Sequence, residues 1–314
     1  TFYINSLQHY LWDHEETLRG WKRIDSHLGW FLDRECNVIA MSDHGSNPIE
    51  TVFNINTWLE KNGYLLIETQ VADTLYSLGV TKDKMMKYAA KLGLTQWVKH
   101  LTPRSLLRYL PDEEGTVIKE GKTDAINWDG TTAVASGQGP VYLTRDRSDQ
   151  GYDQVRSELI AELAAVTDDS GNPVATEVHR GEDVYDGPYL GEAPDIVVEQ
   201  ATGVHIPGGI GGRDVFTEPS PSGWQAENKR EGLFAAVGPA FDTGTVESLS
   251  ILDLAPTILH LHGCAVPSDF DGDVRRDLFD DKTVPATRDP TYRSTDSRSE
   301  EIRRIRQIAR SIDL

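Results

Sequence analysis

The sequence is poor in cysteine, in lysine and in long apolar runs. Its 314 residues include two cysteines, Cys36 and Cys264, which are far apart, so neither a disulfide framework nor a cysteine metal site is indicated. No apolar run approaches the roughly 18 residues of a membrane-spanning helix. The chain also shows no signal-peptide pattern at its start, and we expect a cytoplasmic protein without a transmembrane segment.

Positive charge is scarce as well. The 11 lysines and 20 arginines face 50 acidic residues, which gives a net charge of −19. A protein that binds a nucleic acid duplex needs a basic face, so this class of partner is excluded from our expectations. An acid-rich, lysine-poor composition is typical of salt-accumulating cytoplasms and favours a haloarchaeal origin, where carboxylates keep the surface hydrated. An ordinary acidic protein is the alternative.

Apolar periodicity predicts alternating helices and strands. Within residues 12–34, apolar side chains three or four positions apart predict a helix: Leu18, Trp21, Ile24, Leu28 and Phe31. The apolar run Val38–Met41 then predicts a buried strand, which stops at Ser42-Asp43-His44-Gly45. Helix, buried strand and then polar residues with glycine are typical of an α/β sheet whose functional groups follow the strand ends.

The remaining pattern extends this α/β prediction. Further strands are predicted at 2–4, 133–135, 141–143, 194–198 and 232–238, further helices at 51–62, 82–92, 151–166 and 249–262, and a loop at 202–224. We predict core regions at 1–63 and 126–285, a cap or insertion at 64–125, and a linker with a terminal helix at 286–314.

The C-terminal segment differs in charge from the rest of the chain. Residues 291–314 contain six arginines and four acidic residues, and one helical face carries Ile302, Ile305, Ile308 and Ile312. A helix over 300–312 that docks on its own acidic domain is one interpretation. The other is a helix that binds a partner or a membrane surface.

Asp43 and His44 are the strongest candidates for chemistry. A carboxylate and an imidazole directly after a buried strand are both ligands for zinc-like ions. Most other histidines lack a second ligand at a useful spacing. His205, in the glycine- and proline-rich loop, is a weaker candidate.

Five segments, in order, resemble those of one enzyme family. They read NSLQHYLW, VIAMSDHGSNPIETVFNINTWLEKNGYL, INWDGTTAVASGQGPVYL, NKREGLFAAVGPAF and SILDLAPTILHLHGCAVPSDFDGDV. They are similar to segments of the alkaline phosphatase superfamily, and most similar to its type I phosphodiesterase/nucleotide pyrophosphatase branch. The resemblance covers about residues 2–275.

This resemblance implies a three-layer α/β/α sheet with a cap insertion and a two-metal hydrolase of small phosphorylated substrates. Asp43 and His44 match ligands of the metal that activates the nucleophile, and His9 matches a ligand of the second metal. The implied cofactor is one or two divalent cations, zinc in first place, with manganese, magnesium or calcium as alternatives.

The chain departs from the family pattern at two ligand positions. The family aspartate four residues before His9 is Asn5, and the late family histidine is Asn228. Asparagine brings neither negative charge nor an imidazole nitrogen, so the second metal site is expected to be weakened, altered or empty, unless His205 replaces a ligand.

The family nucleophile and its first strand would fall before Thr1. We therefore expect the chain to be the carboxyl-terminal part of the catalytic domain, with its nucleophile upstream. Two functions remain open: a metal-dependent hydrolase of phosphodiester or phosphomonoester bonds, and a diverged, non-hydrolytic or transferase member of the superfamily with an incomplete second metal site.

Overall fold

A computed structural model describes residues 2–67, 84, 87, 88, 91, 125–187, 189–246 and 248–294. Helices and strands are mixed along these residues, which confirms the predicted α/β class with an alkaline-phosphatase-like fold. The strands pair into one four-stranded, one three-stranded and three two-stranded sheets in the described part of the chain.

The helices and strands are as follows. The α-helices described are α1 (Phe2–Tyr10), α2 (Glu15–Leu32), α3 (Ile55–Lys61), α4 (Tyr152–Ala164), α5 (Gly181–Val184), α6 (Leu254–Leu261) and α7 (Val284–Thr287). The strands are β1 (Val38–Met41), β2 (Gly45–Pro48), β3 (Thr51–Phe53), β4 (Ala133–Ala135), β5 (Pro140–Leu143), β6 (Ala175–Arg180), β7 (Ile196–Gln200), β8 (Val204–His205), β9 (Phe216–Thr217), β10 (Ala226–Lys229), β11 (Phe234–Val237), β12 (Val266–Pro267) and β13 (Tyr292–Arg293). Short 3-10 turns occupy Leu190–Glu192, Ile251–Asp253 and Arg276–Leu278.

The chain divides into two compact units, each built from separate stretches of sequence. Unit 1 comprises Thr1–Ile4, Asp13–Ser46 and Asn228–Leu314, and unit 2 comprises Asn5–Trp12 and Asn47–Glu227. The predicted boundaries at 63, 125 and 285 remain predictions, since most of the predicted cap lies outside the described residues.

Unit 2 contains the larger core. Its four-stranded sheet has the order β4-β5-β7-β6, with antiparallel neighbours throughout, and α4 packs against β6 and β7. Side chains of a strand alternate between two faces, and accordingly Ile196 and Val198 of β7 are buried while Val197 between them is partly exposed. Leu159 and Leu163, four positions apart on α4, are buried in the same core.

Asn56 connects α3 to two other parts of unit 2. It is fully buried, accepts a hydrogen bond from the backbone N–H of Ala135 at 2.8 Å and donates to the carbonyl of Gly209 at 3.0 Å. Because a buried amide must be hydrogen-bonded, these contacts fix the loop that follows His205 against β4.

Unit 1 contains β1, β11 and a smaller core. The two strands are antiparallel, with Val38 opposite Val237 and Met41 opposite Phe234. Phe241 and Phe279 stack with ring centroids 5.6 Å apart, and Ile39 of β1 packs against the cluster that contains them. This packing fixes the end of β1, where Ser42, Asp43 and His44 follow.

Several predicted elements are confirmed. The structure contains the helix predicted at 12–34 as α2, the strand at 38–41 as β1, the helix at 151–166 as α4 and the strand at 232–238 as β11. The prediction that the strand at 38–41 is buried was wrong: Val38, Ile39 and Ala40 are half-buried and Met41 is exposed, because β1 belongs to a two-stranded sheet in the described part of the chain. Strands also lie at 133–135, at 140–143 and, shifted by two residues from the prediction, at 196–200. The helix predicted at 249–262 is a 3-10 turn followed by α6.

Three further predictions were wrong. Residues 2–4 lie in helix α1 and not in a strand, because Ile4 belongs to a helical stripe with Leu7 and Leu11. Residues 51–53 form strand β3, so the helix predicted at 51–62 begins only at Ile55. The loop predicted at 202–224 contains the short strands β8 and β9, which both pair with β3.

Two predicted helices fall largely outside the described residues. In the segment 82–92, only positions 84, 87, 88 and 91 are described, and all four are helical. The terminal helix at 300–312 lies wholly outside. Among the helices that the structure describes, none has the length and apolar character needed to span a membrane.

Candidate metal and phosphoester site

The Ser-Asp-His-Gly segment directly follows strand β1. The Ser42 N–H donates to the carbonyl of Leu233 at 3.0 Å, and the Ser42 hydroxyl oxygen accepts from the N–H of Leu233 at 2.7 Å. This reciprocal pair fixes the backbone where the strand ends. The next side chain, Asp43, is 79% exposed, while that of His44 is 25% exposed.

Asp43 and His44 present two donor atoms on the same side of the backbone. The Nδ1 of His44 lies 2.8 Å from the carbonyl oxygen of Gly45, which can only accept, so Nδ1 carries the proton and Nε2 holds the lone pair. This Nε2 is 3.7 Å from Oδ1 of Asp43. Two ligands of one tetrahedral zinc ion, each about 2.1 Å from it, stand roughly 3.4 Å apart. The separation of the pair is therefore close to what a shared cation requires.

Gly45 is required by the close approach of another segment of unit 1. A Cβ atom at this position would lie 2.0 Å from the carbonyl oxygen of Glu231 and 2.8 Å from the side chain of Lys229. Any larger residue would push the chain away and turn His44 with it. The glycine of the motif therefore has a steric role.

His9 and Asn5 form a second pair of potential metal ligands, in unit 2. They are four positions apart on α1, which places them on one face of the helix. The Nδ1–H of His9 donates to the carbonyl of Ala226 at 2.7 Å, which leaves Nε2 as the lone-pair nitrogen. The Oδ1 atom of Asn5 is buried and has no hydrogen-bond partner among the residues that the structure describes. A buried oxygen without a donor is a site where a cation would relieve the cost of desolvation.

Residues 224–226 clamp the end of α1. The N–H of Gln225 donates to the carbonyl of His9 at 2.6 Å, and the indole of Trp224 stacks on the His9 ring with centroids 4.1 Å apart. The indole N–H also donates to the hydroxyl of Tyr10 at 3.1 Å. Outer contacts of this kind fix the orientation of an imidazole ligand.

His205 and Glu227 form a further pair of ionisable side chains next to this clamp. The carboxylate of Glu227 was missed in the sequence analysis. The Nδ1 of His205 is hydrogen-bonded to Oε2 of Glu227, whose side chain is 1% exposed. His205 was a weak candidate from its loop, whereas Glu227 was not considered at all. Its place beside the family position of Asn228 is the only signal in the sequence that could have pointed to it.

The predicted metal ligands thus belong to two different units of the chain. Asp43, His44 and Asn228 belong to unit 1, while Asn5 and His9 belong to unit 2. Within the described residues, no three or more His, Cys, Asp or Glu side chains are arranged to hold a metal ion. The donor types of each pair fit a divalent cation, and each pair supplies two donors.

One other histidine has a structural role. His260 on α6 is buried, and its Nε2–H donates to the carbonyl of Pro285 at 2.8 Å. It therefore holds α7 against α6 in unit 1.

Comparison with known proteins assigns the chain to a family. The family model of type I phosphodiesterase / nucleotide pyrophosphatase matches residues 3–226, which is more than half of the chain. The chain belongs to this family. No similar protein was found among curated proteins or among solved structures. The match includes the Ser-Asp-His-Gly segment, α1 and the clamp at 224–226, and ends before Asn228.

Proposed function

We propose that the protein is a metal-dependent hydrolase of phosphodiester bonds in small substrates. Membership of the type I phosphodiesterase/nucleotide pyrophosphatase family supports the hydrolase part of this proposal. The observation that carries the metal dependence is the Asp43–His44 pair, with one carboxylate oxygen and one lone-pair nitrogen 3.7 Å apart after β1. Asn5 and His9 supply a second, weaker pair of donors.

The proposed roles of the residues follow from these contacts. A bound divalent cation would polarise the phosphoryl group as a Lewis acid. Asp43 and His44 would hold the first cation through Oδ1 and Nε2, and zinc is the ion that best fits this mixed donor set. His9 and Asn5 would hold the second through Nε2 and Oδ1. Since Asn5 is neutral, this second pair attracts a cation less strongly than a carboxylate would.

Metal content and activity of the full-length protein test this proposal together. Purified in high salt, the wild type is expected to contain divalent metal and to hydrolyse bis-p-nitrophenyl phosphate. Asp43→Asn should lower the bound metal to less than half and the activity by at least about 100-fold, because the substitution removes an anionic ligand. Asp25→Asn, an exposed site on α2, is the matched control and should change neither quantity.

The proposal fails if the wild type binds no metal and hydrolyses no diester, or if Asp43→Asn keeps full metal content and activity.

A transferase is the second candidate function, and the asparagines at positions 5 and 228 favour it. A weaker second cation site would change how water competes with another acceptor for the phosphoryl group. Product analysis in the presence of an added alcohol separates the two. Transfer to the alcohol in large excess over hydrolysis identifies a transferase, while product ratios that follow the concentrations of water and alcohol identify a hydrolase.

A further inference from the structure

His205 and Glu227 form a buried carboxylate–imidazole pair in unit 2. Oε2 of Glu227 is hydrogen-bonded to Nδ1 of His205, and the amide of Gln138 lies 3.5 Å from the other carboxylate oxygen. With only 1% of its side chain exposed, Glu227 would pay a large desolvation cost without such partners. Its carboxylate therefore keeps the proton of His205 on the Nδ1 side.

This arrangement leaves one nitrogen of His205 for chemistry. Since Nδ1 faces Glu227, Nε2 is the nitrogen that can exchange a proton with a ligand, and the His205 side chain is 19% exposed. The backbone is also fixed, because Val52 of β3 lies opposite His205 of β8. A carboxylate that orients an imidazole in this way is the arrangement used in general acid–base catalysis.

The pair lies beside the proposed ligand His9. The ring of His205 and the indole of Trp224 have centroids 5.5 Å apart, and the same indole stacks on His9. Of the ionisable groups that the structure describes around His205, Glu227 is bonded to it and His9 is across the indole, and the neighbouring strand Thr51–Phe53 contains no ionisable side chain.

We propose that His205 is the general acid that protonates the leaving oxygen of the phosphodiester, and that Glu227 is its positioning residue. This inference rests on the proposed function. Attack by water, or by an enzyme hydroxyl that water later regenerates, forms the new P–O bond and releases the proton of the attacking hydroxyl to solvent. As the bond to the leaving oxygen breaks, its electron pair goes to that oxygen, which takes the proton from Nε2 of the doubly protonated His205. His205 is left neutral, with Nδ1–H still bonded to Glu227, and regains its Nε2 proton from solvent.

A general acid at His205 would also compensate for the weak binding of the second cation by Asn5 and His9. In a two-metal site a cation stabilises the charge that develops on the leaving oxygen. Here Asn5 brings no negative charge to hold that cation, and a proton from His205 would neutralise the same oxygen.

A leaving-group series with the full-length, metal-loaded protein tests the inference. The leaving groups dinitrophenol, p-nitrophenol, phenol and an alkyl alcohol become more basic in that order. Hydrolysis of their diesters therefore depends increasingly on protonation of the leaving oxygen. His205→Gln should lower kcat/KM for alkyl and phenyl diesters by about 100-fold or more, and for the dinitrophenyl diester by less than about threefold.

Two further variants separate positioning from folding. Glu227→Gln keeps the shape of the side chain and should show the same dependence on the leaving group, reduced to about tenfold. His262→Gln, at an exposed histidine after α6, should behave as the wild type for every diester.

Three results would overturn the inference. An equal loss for all leaving groups in His205→Gln gives the residue a structural role only. A loss of less than threefold throughout means that His205 is not needed. If the wild type hydrolyses no diester at all, the proposed function itself fails, and the inference fails with it.

Discussion

Asp195 shows how a single buried carboxylate organises one side of unit 2. It accepts hydrogen bonds from the N–H of Leu143 at 2.7 Å, from Nε of Arg147 at 3.1 Å and from the hydroxyl of Tyr152. These donors come from β5, from the loop after it and from the first turn of α4. The carboxylate therefore joins the sheet to the helix that covers it, and its charge is matched by Arg147.

Tyr152→Phe tests this connection through its pH dependence. Burial, followed by the hydrogen bond to Asp195, raises the pKa of Tyr152 to about 12 from its ordinary value of 10.0. A raised pKa means that the neutral phenol stabilises the fold, fully below pH 10 and less and less as the pH rises towards 12. Tyr152→Phe should lower the free energy of unfolding by about 1–2 kcal/mol at neutral pH and should reduce the loss of stability between pH 10 and 12.

Urea unfolding followed by circular dichroism across this pH range is the measurement. Tyr189→Phe, at an exposed tyrosine, is the control. An alkaline loss of stability that is as steep in Tyr152→Phe as in the wild type would contradict the assignment.

The residues of the candidate site were predictable only where they are close in sequence. Asp43 and His44 are adjacent, and Asn5 and His9 are one helical turn apart, so the resemblance to a family pattern could find them. His205 and Glu227 are 22 positions apart and lie on two different short strands, β8 and β10, which local sequence does not predict. Contacts of this kind depend on tertiary structure and leave no local pattern.

At the scale of elements, long periodic segments were predicted well and short ones were not. The stripe of α2 spans four turns and strand β1 ends at a sharp change to polar residues, and both were predicted within a few residues. Residues 2–4 offered three apolar positions, too few to distinguish a strand from a helix. In residues 51–62, the β-branched Thr51 and Val52 favoured a strand, and the change to helix occurs at Asn54.

Gly139→Ala tests how closely β5 and β7 are joined. Gly139 has a φ of 106°, and a Cβ atom there would lie 2.1 Å from the carbonyl oxygen of Val198. We expect the substitution to lower the free energy of unfolding by about 3 kcal/mol or more, the sum of a strained backbone and a steric clash.

The matched control for this prediction is Gly171→Ala. Gly171 also has a positive φ, of 86°, but a Cβ atom there would meet nothing within 4 Å. It should therefore show the backbone cost alone, about 1 kcal/mol. Urea unfolding of both variants measures the difference between their losses in the free energy of unfolding. Equal losses would contradict the prediction, since they would show that β5 moves away from β7 at little cost.

At the scale of the whole molecule, we expect the net charge of −19 to determine how stability depends on salt. Excess carboxylates repel one another, and dissolved salt screens this repulsion over about 10 Å at 0.1 M and about 3 Å at 1 M. We expect the midpoint of thermal unfolding to rise by at least about 10 °C between dilute buffer and molar KCl.

Sucrose at matched osmolality is the control for this salt effect, because it favours the compact state without screening charge. A protein equally stable in dilute buffer and in molar KCl would contradict the interpretation that its acidity is an adaptation to salt. A rise of the same size in sucrose would assign the effect to solvent exclusion.

The course of the chain between the two units limits which fragments of the protein can keep the contacts of the candidate site. The chain crosses the boundary four times, after residues 4, 12, 46 and 227. The uninterrupted stretch Asn47–Glu227 contains Trp224 and Ala226 but not the residues of α1 that they hold. A fragment limited to this stretch would therefore lose His9, and with it the partner of the clamp at 224–226. A fragment that keeps His9 together with its clamp must contain both Asn5–Trp12 and Asn47–Glu227.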